Sequence, residues 1–357
     1  MRPSKTLQTK TSRHHKRYWK LLASCSLLAL ALLTGCGNDQ KLTVVDHAAS
    51  VPVAPSISLS SIDKLDQVYG RTWLSADEMI IERNNRLMVH NAATGAEHEL
   101  TPDRKGIQLL AEAAPDGKHV FFTEGVANDR YTIKGYILDI QSGDIVTIGN
   151  IDMVNEFKWA DSSHLISGTP DTGLQTFDLQ GHKTTLQLQG TNTKDTIMQV
   201  QQVGETIYFV GGSALNRVEK GELQAMPIAK DVWNFDVAPD GKSIVIQQVG
   251  HNESEPGKLM IIDHNGKMLG KVAEGTLLGR PAWSPDGTML AFSIYQESQQ
   301  GMKGLYIFNR STGTTTPVTT EFQAYNNSLR WSMDSRRISL YAEDNGVVTA
   351  LIGIQVK

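Results

Sequence analysis

Apolar residues in this chain come in short, strand-length runs separated by turn-forming residues, and the arrangement returns at near-regular intervals. In "PAWSPDGTMLAFS" (281–293), Ala282-Trp283 and Met289-Leu290-Ala291-Phe292 suit strands buried on both faces. Between them, Ser284-Pro285-Asp286-Gly287 has the chemistry of a tight turn: proline presets φ, aspartate bonds the backbone ahead, and glycine accepts a positive φ. Related phrases surround Pro115 and Pro239, and looser ones begin at Trp73, Trp159, Val200 and Trp331. With Asp77, Asp116, Asp161, Gly204, Asp240, Asp286 and Asp334 as markers, the spacings are 39, 45, 43, 36, 46 and 48 residues. A strand-rich unit with a period in the low forties predicts propeller blades.

A second pattern interleaves with the first. Each of the first six units is followed by two further strand-like runs around a glycine-bearing turn, as in "LDIQSGDIVTI" and "FNRSTGTTTPV". The seventh unit is followed only by "VVTALIGIQVK", which provides one strand. The pattern therefore predicts an all-β chain with six four-stranded blades and a seventh that borrows a strand from the N-terminal side. "KLTVVD" (41–46) and "SISLSS" (56–61) are the two candidates for that strand.

The phrase carried best by Trp283 to Ser293, and well by the copies at Pro115 and Pro239, resembles the repeat of TolB-like propellers, the WD40-like PD40 blades. The resemblance covers residues 65–357 as architecture and implies contacts with proteins of the cell envelope. Six blades are common in that family, and the fourth unit here lacks both tryptophan and Pro-Asp-Gly, so six blades is the alternative count. The repeat residues are turn and core residues and say little about function.

Charge changes the picture at the N-terminus. The first 35 residues hold seven Lys or Arg and no Asp or Glu, and "LLASCSLLALALLTG" after Lys20 is apolar but too short to span a bilayer comfortably. This is the pattern of an export signal. Its exit, Leu33-Thr34-Gly35-Cys36, resembles the bacterial lipobox, which implies lipidation of Cys36 and anchoring of the chain to a membrane outside the cytoplasm. The reading is a signal peptide over 1–35, a lipidated N-terminus and tether over 36–64 that can donate the closing strand, and a propeller over 65–357. Cys25 and Cys36 are the only cysteines, so the body has no disulfide or cysteine metal site. Without the leader it carries 27 basic against 38 acidic residues, a net of −11 that disfavours nucleic acid as a partner.

The sequence offers little catalytic chemistry. It has no HExxH, no G-x-S-x-G elbow, no D-x-D-x-D-G calcium loop and no cofactor motif, so no cofactor is expected. Arg71, Lys158, Arg280 and Arg330 precede tryptophans of the predicted innermost strands. Facing the central funnel, they would form a cationic patch for a carboxylate or an acidic sugar; alternatively they pair with Asp or Glu between blades. The tryptophans beside them are expected in the inter-blade core. Connections such as "EGVANDRYTIKG", "QVGHNESEPGK" and "YQESQQGMKG" are longer and more polar than the turns of the opposite face, which is where binding residues concentrate. Two functions follow. The first is a binding or scaffold module of the cell envelope for a protein or glycan. The second is a propeller lyase or hydrolase acting on acidic polysaccharide, which requires titratable groups converging at the funnel.

Overall fold

The computed structural model describes residues 56–126, 129–151, 156–169, 173–190, 196–250, 256–275, 278–294, 304–320, 329–343 and 347–356. Cys36, the leader and "KLTVVD" lie outside these residues, as do parts of the long connections, among them 127–128, 170–172, 251–255 and 295–303.

The described strands form seven antiparallel sheets of four. Six are built from consecutive strands, over 69–99, 107–150, 157–187, 197–229, 232–275 and 282–319. The seventh combines Arg330–Trp331, Arg337–Glu343 and Val347–Val356 with an N-terminal strand, Ile57–Asp66, at its outer edge. The chain is thus a seven-bladed β-propeller whose ring is closed by joining its beginning to its end. The closing strand takes in all of "SISLSS" but its first serine and continues to Asp66, so it straddles the expected boundary between tether and propeller.

Why seven sheets make a ring follows from alternation. Successive residues of a strand point to opposite faces, so a sheet buried on both sides needs apolar residues at odd and even positions. In blade 1, Ile80 packs against blade 2 while Met79 and Ile81 pack against blade 7. In blade 2, Phe122 faces blade 1 and Phe121 faces blade 3. Seven apolar clusters result, one for each pair of neighbouring blades.

The repeated turns have the geometry their chemistry predicts. Gly117, Gly241 and Gly287 adopt φ of +69°, +68° and +69°, where a side chain would be strained. Blade 7 places Ser335 there, at +60°. The preceding aspartate accepts the backbone N–H two residues on, at 3.1 Å for Asp116, 3.0 Å for Asp240 and Asp286, and 3.2 Å for Asp334. These turns lie on the lower face; the strand ends opposite them lie on the upper face.

Three of the four repeat tryptophans, Trp73, Trp159 and Trp331, latch neighbouring blades through their indole N–H. Trp73, Trp159, Trp283 and Trp331 are all buried. The Trp159 Nε1–H donates to Glu112 O of the preceding blade at 2.9 Å, and that of Trp331 donates to Ala282 O at 2.9 Å. Between blades 4 and 5, glutamines take over: Gln199 and Gln201 each donate to a backbone carbonyl of the Val232–Val237 strand and accept a backbone N–H from it.

Candidate functional site: the central channel

The innermost strands surround a channel with two wells. The upper well encloses about 430 Å³ and the lower about 520 Å³. Glu112, Glu156, Gln199, Arg280 and Arg330 line both and form the waist between them. Pro115, Pro239, Pro285 and Met333 of the repeated turns rim the lower well.

The upper mouth is shaped by β-bulges, single extra residues that break strand alternation and re-aim a side chain. Arg71 is the extra residue of the blade 1 inner strand, since Gly70 pairs with Ile81 and Thr72 with Ile80. Met198 holds that place in blade 4 and Trp233 in blade 5. In blade 2, Leu109 and Leu110 stand against Thr123 alone. In blade 6, Gly279, Arg280 and Pro281 stand against Ser293 and Phe292. From each of these five bulges one residue lines the upper well: Arg71, Leu110, Met198, Trp233 and Arg280. Three of them are exposed apolar side chains, Leu110 at 37%, Met198 at 58% and Trp233 at 60%. Trp233 is the one exposed tryptophan among the described residues.

At the waist, charges alternate across the channel. Arg330 of blade 7 meets Glu112 of blade 2 at 3.2 Å, and Glu112 meets Lys158 of blade 3 at 2.8 Å. Lys158 lies 3.5 Å from Glu156, whose other oxygen lies 2.9 Å from Arg280 of blade 6. Arg71 pairs with Glu82 at 3.0 Å and lies over the Tyr69 ring. Three of the four predicted cations therefore meet at the waist and the fourth stands at the mouth, each with a carboxylate partner. An unopposed cationic patch is not what they build.

Two carboxylates respond strongly to this setting. Burial works against ionisation of Glu156, yet Lys158, Arg280 and Arg330 together hold its pKa at about 2. For Asp236 burial wins. Its pKa is pushed up to about 6, although it accepts the Trp283 backbone N–H at 2.6 Å and faces Lys158 and Arg330. Arg330, enclosed by Glu112, Glu156 and Asp236, is raised above the ordinary guanidinium value despite the opposing effect of burial.

Elsewhere, Asp161, Ser163 and His164 come within 2.8–3.1 Å of one another on an exposed turn. Serine and aspartate both contact the same imidazole nitrogen, Nδ1, so the ring cannot take a proton from one while held by the other. Among the described residues no three His, Cys, Asp or Glu gather in a way that would hold a metal ion.

Sequence reasoning missed Glu112, Glu156, Asp236, Met198 and Trp233. For Trp233 a signal existed: it stands four residues before the repeat's tryptophan slot, which Val237 occupies in this blade.

No protein-family model matches the chain, and no curated protein matches it. Among solved structures it is similar to an oligogalacturonate lyase in complex with manganese, with 11% identity and a TM-score of 0.60, covering 85% of this chain and 98% of that one. A chain of a mitotic checkpoint complex gives 14% identity and a TM-score of 0.60 over 88% and 97%. The oligogalacturonate lyase of Vibrio parahaemolyticus gives 9% and 0.58 over 84% and 98%. An enzyme and a component of a protein assembly share the architecture equally, so these likenesses establish the propeller fold and no more.

Proposed function

We propose that this protein is a lipid-anchored binding module of the bacterial cell envelope, tethered through Cys36 and holding a macromolecular ligand at the upper mouth of its channel. The observation that carries this reading is the set of bulges that brings Trp233, Met198 and Leu110 to one mouth above a charge-matched waist. Exposed apolar side chains gathered on a rigid concave rim favour recognition of a partner. The reading is tested by a pull-down from solubilised envelope with the mature protein, beside a glycan screen. A partner retained by the wild type and lost with Trp233→Ala supports it; retention of the same partners by both contradicts it. For the anchor, Cys36→Ala is expected to give soluble protein or uncleaved precursor, and membrane-bound, lipid-labelled variant would refute it.

The second reading is a lyase or hydrolase of acidic polysaccharide. Its support is the convergence of Glu112, Glu156, Asp236, Lys158, Arg280 and Arg330 in one channel, on a fold shared with two oligogalacturonate lyases. Against it, the waist cations are already engaged by carboxylates, leaving little for a uronate to claim. Cleavage of polygalacturonate by purified protein, abolished by Arg280→Ala, would replace the first reading with this one.

A further inference from the structure

Among the described residues, the cations around the upper mouth each have a carboxylate partner, although the Nε–H groups of Arg71 and Arg330 find no acceptor, and the exposed side chains beside them are apolar. Glu112 and Glu156 engage Lys158, Arg280 and Arg330, and Asp236 in the lower well is the third carboxylate among these cations, facing Lys158 and Arg330. The Asn234 amide donates to Gln247 Oε1 at 2.8 Å, and the Gln199 amide both donates to and accepts from the Phe235 backbone. Trp233, Met198 and Leu110 stand exposed above them. A polyanion entering here would have to displace existing carboxylates from their cations, which leaves partly buried charges unmatched. A neutral apolar group meets no such penalty and covers surface that is otherwise wet.

The dimensions narrow the choice. About 430 Å³ lies near the small end of ligand sites, roughly 300–1,000 Å³, and suits one or two bulky side chains. Methionine and leucine beside an indole adapt to aliphatic and aromatic shapes, whereas the hydroxyls of a sugar, once buried, need polar partners of their own. From the matched charges and the apolar rim, we infer that the ligand of the upper mouth is a polypeptide segment that inserts a bulky, uncharged side chain between Trp233, Met198 and Leu110. This rests on the binding-module reading and sharpens it, setting a protein partner against a glycan. Binding driven in this way is insensitive to salt, because no net ion pairing is gained.

The test uses full-length protein in detergent with ¹³C-labelled methionine methyls, the Met198 signal being assigned by its loss in Met198→Leu. The probes are acetyl-Gly-Trp-Gly-amide, acetyl-Gly-Leu-Gly-amide and trigalacturonate. Both neutral peptides are expected to shift the Met198 methyl saturably, with affinities unchanged by a roughly fivefold rise in NaCl. Trp233→Ala weakens them at least about tenfold, as for a hot-spot residue, and Trp233→Phe recovers part of the loss. Thermal melting of the variants checks that the fold is intact. Trigalacturonate shifting Met198 in a salt-sensitive way would leave the mouth as the site but overturn the ligand class. Peptides that fail to bind, or bind without moving Met198, would overturn the inference itself. An envelope partner held equally by wild type and Trp233→Ala would overturn the underlying reading.

Discussion

The indole Nε1–H of Trp73 donates to the backbone carbonyl of Arg330 at 3.2 Å, joining residues 257 positions apart in the chain. Its second acceptor is Ser339 Oγ at 3.1 Å. Blades 1 and 7 are thereby latched at the channel wall, while the Ile57–Asp66 strand binds blade 7 together at its rim. Residues 67–68 carry the chain directly from that strand into blade 1, so both devices join the same two blades.

The rim device gives the first prediction. Ile57 is buried in the cluster between blades 6 and 7, and the closing strand pairs with Val347–Val356 along its length. Removing 37–66 exposes that edge and the cluster beneath it. The melting temperature is expected to fall by at least about 5 °C relative to the chain starting at 37, at roughly 2–4 °C per kcal/mol. An unchanged melting temperature would show that the ring holds without its strand.

The tryptophan latches give the second. Trp331 Nε1 donates to Ala282 O, whereas the buried Nε1 of Trp283 has no protein partner. Replacing either by phenylalanine removes similar area, but only Trp331→Phe loses a hydrogen bond between neighbouring blades. Trp331→Phe is expected to cost about 1–2 kcal/mol more than Trp283→Phe in denaturant unfolding. Arg310 lies 5.5 Å above the Trp283 ring, a contact phenylalanine keeps in part.

The third concerns pH. The pKa of Asp236 is raised in the folded state from 3.8 to about 6. A raised pKa means the folded protein binds the proton more tightly, so stability from this group is full below pH 4 and is lost as pH rises through 6. Glu156, lowered from 4.5 to about 2, acts oppositely: its contribution is present above pH 4.5 and lost as pH falls towards 2. Asp236→Asn keeps an oxygen for the Trp283 N–H but cannot ionise. It is expected to raise the melting temperature at pH 7.5 and leave it nearly unchanged at pH 4, the difference amounting to up to about 3 kcal/mol. Equal shifts at both pH values would contradict the assignment.

The contrast between Trp283 and Trp233 shows how far the sequence could be read. Trp283 sits directly before Ser284-Pro285-Asp286-Gly287, a local signal that recurs and so fixed its slot in the inter-blade core. The seven blades, the turn chemistry and the need for a borrowed strand were legible for the same reason. Trp233 lies four residues before the slot held by Val237, and strict alternation would bury both on one face. The bulge at Trp233 reverses that phase, and a bulge depends on the partner strand's register. Glu112 and Glu156 went unrecognised because the ion-pair chain is set by where blades 2, 3, 6 and 7 meet in space.

The central claim, that the upper mouth holds a polypeptide partner, is tested most directly by photocrosslinking in living cells. A benzophenone amino acid placed at Trp233 is expected to give a discrete adduct with a second polypeptide, and the same group at Met198 gives the same adduct. Placed at Met268, an exposed residue at the start of the outermost strand of blade 5, it gives none. Adducts from Met268 with none from Trp233 or Met198 would contradict the account.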